Sequence, residues 1–459
     1  MTLTRPCICP NRVRSRAPAP AGPRWLGCAV VLLGLAASLA SAQAPVRSGD
    51  ESSFLEDLQA RATCFFTEAA DPATGLVLDR VRADGRGGGP RAPSSVAATG
   101  FGLTAWCIAE YRGWLPPGEA RRRVRAALRT LADQHDHERG WFYHFVDATT
   151  GRRVWDSEAS TIDTALLLQG ALLAREHLRD PEVDALVARI YGRIDWRWAQ
   201  AGGRTLVHGW RPEAGFLPHR WDSYAELLGL YLLGLGAPDV ARALPANAWR
   251  AWRREPWVES GGRRFIQCGP LFTHQYAHGW FDFRGQRDHG VDYWENSVAA
   301  TLAQRDWSLA QRGRYPLWSG RLWGLTASDS AGGYVAWGTP GPDADLSDGT
   351  VVPCAPGGSL PFAPRECLDA LLGMRGALGG RAWGPYGFAD AFNPHTGWVA
   401  ADVVAINVGI TLVMAENLRS GFVWRTFRGA PEVRRGFERA GFTREPAGTS
   451  GSRGLALAR

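Results

Sequence analysis

Three stretches of this 459-residue chain set carboxyl groups just ahead of, or inside, strongly apolar runs. WDSEASTIDTALLLQG carries Asp156, Glu158 and Asp163, and WDSYAELLGLYLLGLGA carries Trp221, Asp222 and Glu226. HQYAHGWFDFRGQRDHGVDYWENS offers His274, His278, Trp280, Asp282, Arg284, Asp288, Asp292, Trp294 and Glu295. Acids that precede several buried helices converge on one end of a helical fold. Cleavage of a glycosidic bond needs two such groups. One protonates the leaving oxygen while the other activates water or attacks, at roughly 6.5–9.5 Å separation for inversion and about 5 Å for retention. Glu226 is the leading proton donor, because apolar surroundings raise a carboxyl pKa while the helix N-terminus opposes this by only about 0.3–1 kcal/mol. Glu158, Asp163 and Asp156 complete the catalytic set.

Each of these residues also has a plainer reading. Asp222 suits a helix cap with Glu226 a turn inside. Ser160 with Asp163, and Asp292 with Glu295, have capping-box spacing, and Asp282 beside Arg284 makes a simple ion pair. Neither metal nor cofactor is expected. His274 and His278 share a face only on a helix and lack an HExxH partner motif, and Asp343, Asp345 and Asp348 in DADLSDG are misplaced for a calcium loop. Of the 21 Trp, many stand beside Gly and acids in loops, among them Trp155, Trp210, Trp221, Trp280, Trp294, Trp323, Trp337 and Trp398. A surface that stacks on sugar faces requires that placement.

The elements that position these groups are helical. Residues 51–70 are amphipathic, and apolar segments start near Ser94, Ser160, Ser223, Asn296, Pro364 and Ala401. Several alternate with charged-faced segments such as residues 116–134 and 180–196. Six buried helices, each with room for an outer partner, predict an all-α (α/α)6 toroid of six inner and six outer helices; a discontinuous helical bundle is the alternative. Long Gly- and aromatic-rich connections at 202–220, 268–292 and especially 313–364 read as walls of a cleft.

The remaining composition bounds location and partners. Five Arg precede an apolar run over residues 25–39 and then Ala40-Ser41-Ala42, so residues 1–42 read as a cleaved export signal and the protein as periplasmic or extracellular. Residues 43–430 then form one domain and 431–459 a largely disordered tail with one short charged helix. Subtracting the five leader Arg from the net charge of +7 leaves about +2, which removes the electrostatic support for a nucleic-acid partner. No stable membrane partner is expected, since the apolar run is short for a spanning helix. All 52 basic residues are Arg. Cys64, Cys107, Cys268, Cys354 and Cys367 read mainly as buried thiols, with a Cys354–Cys367 bridge as the alternative.

The motifs STIDTALLLQGAL, GWRPEAGFL, HQYAHGWFDFRG, DYWENS, GLTASDS, SLPFAP, YGFADAFN and MAENLRSGFVW stand in order from Ser160 to Trp424. Together they resemble the bacterial secreted putative glucoamylase family, related to endo-β-1,2-glucanases and to the C-terminal part of cyclic β-1,2-glucan synthases. The resemblance implies an (α/α)6 barrel and a sugar-active enzyme on a glucan, β-1,2-glucan before starch. It implies functional acids at Glu226, Asp163 and Asp156. Two positions depart from the family pattern: Ser160 stands where the glucanases have an acid, and Asn407 where relatives usually have Asp. If that Asp is a base in the family, this protein is slower, uses another base such as Asp390 or Glu158, or only binds glycan. The candidate substrate-binding set is Trp221, Asp222, His278, Trp280, Asp282, Arg284, Asp288, Trp294, Glu295, Asp329, Asp390 and Asn407. Transglycosylation is a variant of the hydrolytic reading, and a lyase using Tyr276, His278 and Arg284 is a further class.

Overall fold

The computed structural model describes residues 48–86, 92–338 and 346–444. The leader at 1–42, Asp343, Asp345 and the tail from 445 lie outside the described residues. Thirteen α-helices stand among those described: α1 (Ser48–Glu68), α2 (Val96–Tyr111), α3 (Glu119–Asp133), α4 (Thr161–Leu178), α5 (Pro181–Gly192), α6 (Leu228–Gly236), α7 (Tyr276–Trp280), α8 (Tyr293–Ala310), α9 (Cys354–Gly357), α10 (Pro364–Gly376), α11 (Ala405–Arg419), α12 (Phe422–Phe427) and α13 (Pro431–Ala440). The β structure consists of short two- and three-stranded pieces. None of the described helices is long and apolar enough to cross a membrane.

Apolar on nearly every side, α2 and α4 are buried along almost their whole length, as a helix without a polar face must be. They approach at two glycines: a Cβ added at Gly170 would stand 2.0 Å from the Gly100 carbonyl oxygen. Further contacts join α2 to α11, α4 to α6, α6 to α7, and α11 to both α7 and α9. Outside these, α1 packs on α2 and α11, α3 on α2, α5 on α4, α10 on α9 and α13 on α6. At the C-terminal ends of α2 and α11, Arg112 donates two 2.9 Å hydrogen bonds to Glu416 and Gln59 adds one at 2.8 Å. Glu416 is fully buried, and a carboxylate there is tolerated only when so paired.

Short strands lead into the buried helices at the opposite end. Ser94–Ser95 pairs with Phe145–Val146 just before α2, Ala159–Ser160 with Gly209–Trp210 before α4, and Asp402–Val404 with Arg80–Arg82 before α11. Backbone bonds lock these entries: Val96 N–H to the His144 carbonyl, Thr161 N–H to that of His208, and Ala405 N–H to that of Asp79. Side chains far apart in sequence are thereby gathered around the N-termini of α2, α4 and α11.

Several expectations are corrected. Of the six segments read as buried all round, α8 and α10 bury one face only, while the short α7 and α9, inside stretches read as loops, are wholly buried. The helix expected from Ser223 begins at Leu228, with no side-chain cap. Backbone bonds between Tyr224 N–H and the Arg253 carbonyl, and between Arg253 N–H and the Asp222 carbonyl, hold the preceding segment out of the helix. Asp222 therefore caps nothing and reaches Arg253 at 3.8 Å. The domain boundary at 430 also fails: α13 packs on α6, and Thr443–Arg444 pairs with Gln286–Arg287. Cys354 and Cys367 are free thiols, as are Cys107 and Cys268, so the alternative Cys354–Cys367 bridge is not formed.

Candidate active site

His144 is the hub of the acidic end. Its Nδ1 lies 3.4 Å from Glu158 Oε1 and 3.6 Å from Asp163 Oδ2. Burial disfavours its imidazolium, but Asp163 and Glu158 outweigh that and push the pKa up to about 9. The hydrogen bond from His144, followed by further attraction to His144 and to Arg211 3.6 Å away, overcomes burial at Glu158 and lowers its pKa to about 2. Asp163 sits in the first turn of α4. The Ser160 hydroxyl donates to its carboxylate at 2.6 Å and accepts its N–H at 3.3 Å, so Ser160 is both cap and clamp. His144, Glu158 and Asp163 bring three atoms able to bind a metal within 4.8 Å of one another; at neutral pH the imidazolium is their counter-ion.

Glu226 lies in a turn two residues ahead of α6. Among the described residues its carboxyl makes no hydrogen bond or ion pair. Burial, reinforced by the Asp163 charge and opposed by His144, pushes it up to about 8. It therefore keeps its proton at neutral pH, where Glu158 has lost its own. Trp221 closes the floor nearby, stacked 3.9 Å from His208 with its indole N–H on Thr161 Oγ1 at 2.9 Å.

A second group of acids continues the cleft. Arg80 bonds both oxygens of Asp329 at 3.2 Å and reaches Asp79 at 3.2 Å. Asp79 is raised by burial against the pull of Arg80, and it feels both His144 and Asp163, which joins the two groups. Asp390 is buried and accepts 2.7 Å hydrogen bonds from Asn407 Nδ2 and from the Asp329 N–H. Burial outweighs these bonds and pushes Asp390 up to about 7. The hairpin Ala327–Ser330/Gly333–Ala336, inside the connection at 313–364, supplies Asp329 and Tyr334. The phenol of Tyr276 feels the charges of both Glu226 and Asp390.

The structure thus brings together Glu158, Asp163, Glu226, Asp329, Asp390 and Asn407. Asp156 is exposed in a turn with φ +50° and shares none of the His144 contacts. The stretch from Trp280 to Glu295 is elsewhere. Trp280 is core, with its indole N–H on Thr104, and His278 is buried among Phe283, Trp294 and Phe362. Arg284 pairs with Asp282 and lies 4.1 Å over Trp424, which bonds Asn417 at the C-terminal end of α11. Trp294 packs on the same Trp424, so this cluster lies at the end opposite Asn407. Asp288 is buried against Arg254 at 2.7 Å and the Trp249 indole. Glu295, whose side chain is exposed but partly desolvated by its neighbours, is raised by that desolvation and by Asp292, the cap of α8, against Arg287. Asp79, Arg80, His144, Arg211 and Tyr334 join the site without having been singled out for it, and Tyr276, named only for the lyase reading, joins them. His144 is the lone imidazole of the aromatic run WFYHFV and stands in the bend between Trp141–Phe142 and Phe145–Val146; the others have no local signal.

Residues 218–431 match the family model described as putative glucoamylase (Glycoamylase). A curated relative, the exo beta-1,2-glucooligosaccharide sophorohydrolase (non-reducing end) of Parabacteroides distasonis, is 26% identical over 412 residues, covering 82% of this chain. The chain spans 56% of that relative's length. A putative glucoamylase from Bacteroides uniformis superposes with a TM-score of 0.78 at 27% identity, over 88% of this chain and 99% of its own. The endo-beta-1,2-glucanase of Chitinophaga pinensis, solved with sophorotriose and glucose, gives 0.79 at 25% identity, over 87% and 99%.

Proposed function

We propose that this protein is an exported glycoside hydrolase that cleaves β-1,2-linked glucan with two carboxyl groups. The observation that carries this is Glu226: a carboxyl with no hydrogen bond or ion pair among the described residues, protonated at neutral pH and near enough to Asp163 and His144 to feel their charges, where His144 pairs with the ionised Glu158. Its proton passes to the leaving glycosidic oxygen as the bond to the anomeric carbon breaks. Water adds to that carbon and surrenders a proton to Asp390, which at about 7 is a much stronger base than Glu158 at about 2. Glu158 stays anionic and stabilises the oxocarbenium-like charge.

The relatives that act on β-1,2-glucans support the linkage. We read the fold as an (α/α)6 toroid with α2, α4, α6, α7, α9 and α11 inside, a reading supported by the succession of contacts among them. The test is product analysis after incubation with linear β-1,2-glucan, starch, laminarin and alginate. Short β-1,2-oligosaccharides from the first substrate alone are expected. Cleavage of starch or alginate in preference would overturn the assignment. Retention of β-1,2-glucan without products would favour a glycan-binding protein, the reading that Asn407 and Ser160 motivate. Recovery in the periplasm or medium tests export.

A further inference from the structure

Resting on that reading, we propose that Trp155 is a glucan-binding platform outside the catalytic cleft that holds a glucosyl unit of the polymer remote from the bond being cut. At 71% exposure it is the most exposed large apolar side chain among the described residues. An indole left so open contributes little to the core, yet its position is fixed. Trp155 and Asp156 both take positive φ, 57° and 50°, which non-glycine residues adopt only when the surroundings impose it.

Arg153 Nε donates to the Ser157 carbonyl at 2.6 Å, and its guanidinium binds Glu213 and lies 5.0 Å from the Tyr143 ring. Ser157 Oγ accepts the Phe145 N–H at 3.2 Å and donates to the Phe145 carbonyl at 3.0 Å. The turn is therefore pinned on both sides of the Trp.

Its placement selects the ligand. The Trp155 ring lies 5.3 Å from Phe145, and Phe145 stacks 3.8 Å from His144, the hub of the acid cluster. A continuous aromatic ladder thus runs from the catalytic carboxylates to solvent. A pyranose presents an apolar C–H face to an indole and hydroxyls at its rim. Asp156, exposed beside the ring, can accept hydrogen bonds from those hydroxyls. This gives Asp156 a binding role in place of the catalytic one expected from sequence.

The experiment compares Trp155→Ala and Trp155→Phe with wild type on linear β-1,2-glucan polymer and on sophorotriose. For the Ala variant we expect kcat/KM on polymer to fall about tenfold, the equivalent of about 1.4 kcal/mol, through KM. Sophorotriose turnover and the melting temperature should be unchanged, and Phe should restore most of the loss. Unchanged polymer kinetics, or an equal fall on both substrates, would overturn the platform. Wild type that leaves β-1,2-glucan intact would instead refute the functional reading. In that case affinity electrophoresis through β-1,2-glucan, starch and laminarin decides the platform: retardation of wild type lost in the Ala variant supports it, and equal mobility overturns it.

Discussion

Replacing Glu226 by Gln removes the proton and keeps the shape. Glu226 titrates at about 8 against an ordinary 4.5, so about nine-tenths of molecules hold it protonated at pH 7. At about 1.4 kcal/mol per tenfold, charging it in the fold costs on the order of 5 kcal/mol. Glu226 keeps partial solvent access, so about half of that, roughly 2 kcal/mol, is expected to appear in stability. A carboxyl raised on folding binds more protons folded than unfolded. Stability therefore falls as pH rises from 4.5 to about 8 and is flat beyond. The Gln variant has no charge to bury, so its melting temperature should match wild type near pH 4.5 and exceed it by a few degrees at pH 9. On unactivated β-1,2-glucan its kcat should fall by about 10²–10⁴, the worth of general acid catalysis, with KM little changed. A nitrophenyl leaving group, which needs no proton, should recover most of the rate. Near wild-type cleavage of the polymer by the Gln variant would refute the reasoning.

Two more perturbations follow from the same electrostatics. His144→Ala removes the imidazolium whose pKa rises from 6.5 to about 9 on folding. Its contribution is complete below pH 6.5 and lost as pH climbs through 9, so the gap in melting temperature between wild type and variant should shrink across that window. Asn407→Asp puts a second carboxyl where Asn407 now donates to Asp390 at 2.7 Å. A loss of about 1–3 kcal/mol is expected in denaturant titrations above pH 7, and a smaller one at pH 5, where a shared proton relieves the repulsion.

How much was legible depended on the distance over which each feature is determined. The courses of α2, α4 and α11 could be read because a helix buried on all sides writes its burial in its own residues. With five and four residues, α7 and α9 are too short to show a period, and their Gly and Pro look like loop. Asp222 looked like a cap because the competing partner, the backbone of Arg253, lies some thirty residues on. The stretch from Asp282 to Glu295 has the acids and aromatics of a cleft wall. Which end of the helices a connection occupies is not written in its composition, however, and Trp424 holds its Arg284–Trp294 part at the other end. Asp79, His144 and Arg211 enter the site only through strand pairing before α2, α4 and α11.

The cations of the cleft are unevenly shared, and that distribution sets the proton inventory. His144 and Arg211 hold Glu158 ionised, and Arg80 is taken by Asp79 and Asp329. Asp390 receives only neutral donors from Asn407 and an amide, and Glu226 receives none. The two acids without a close cation are therefore the two that titrate near neutrality, at about 7 and about 8. A base that must be ionised and an acid that must be protonated then coexist best near pH 7.5, where about six-tenths of molecules are correctly charged. The activity profile on β-1,2-glucan should be a narrow bell with limbs near 7 and 8, belonging to the coupled pair rather than to either residue. With Glu158 as the base the lower limb would move to about 2, leaving a plateau from mildly acid pH to 7. Such a plateau would transfer the base role from Asp390 to Glu158.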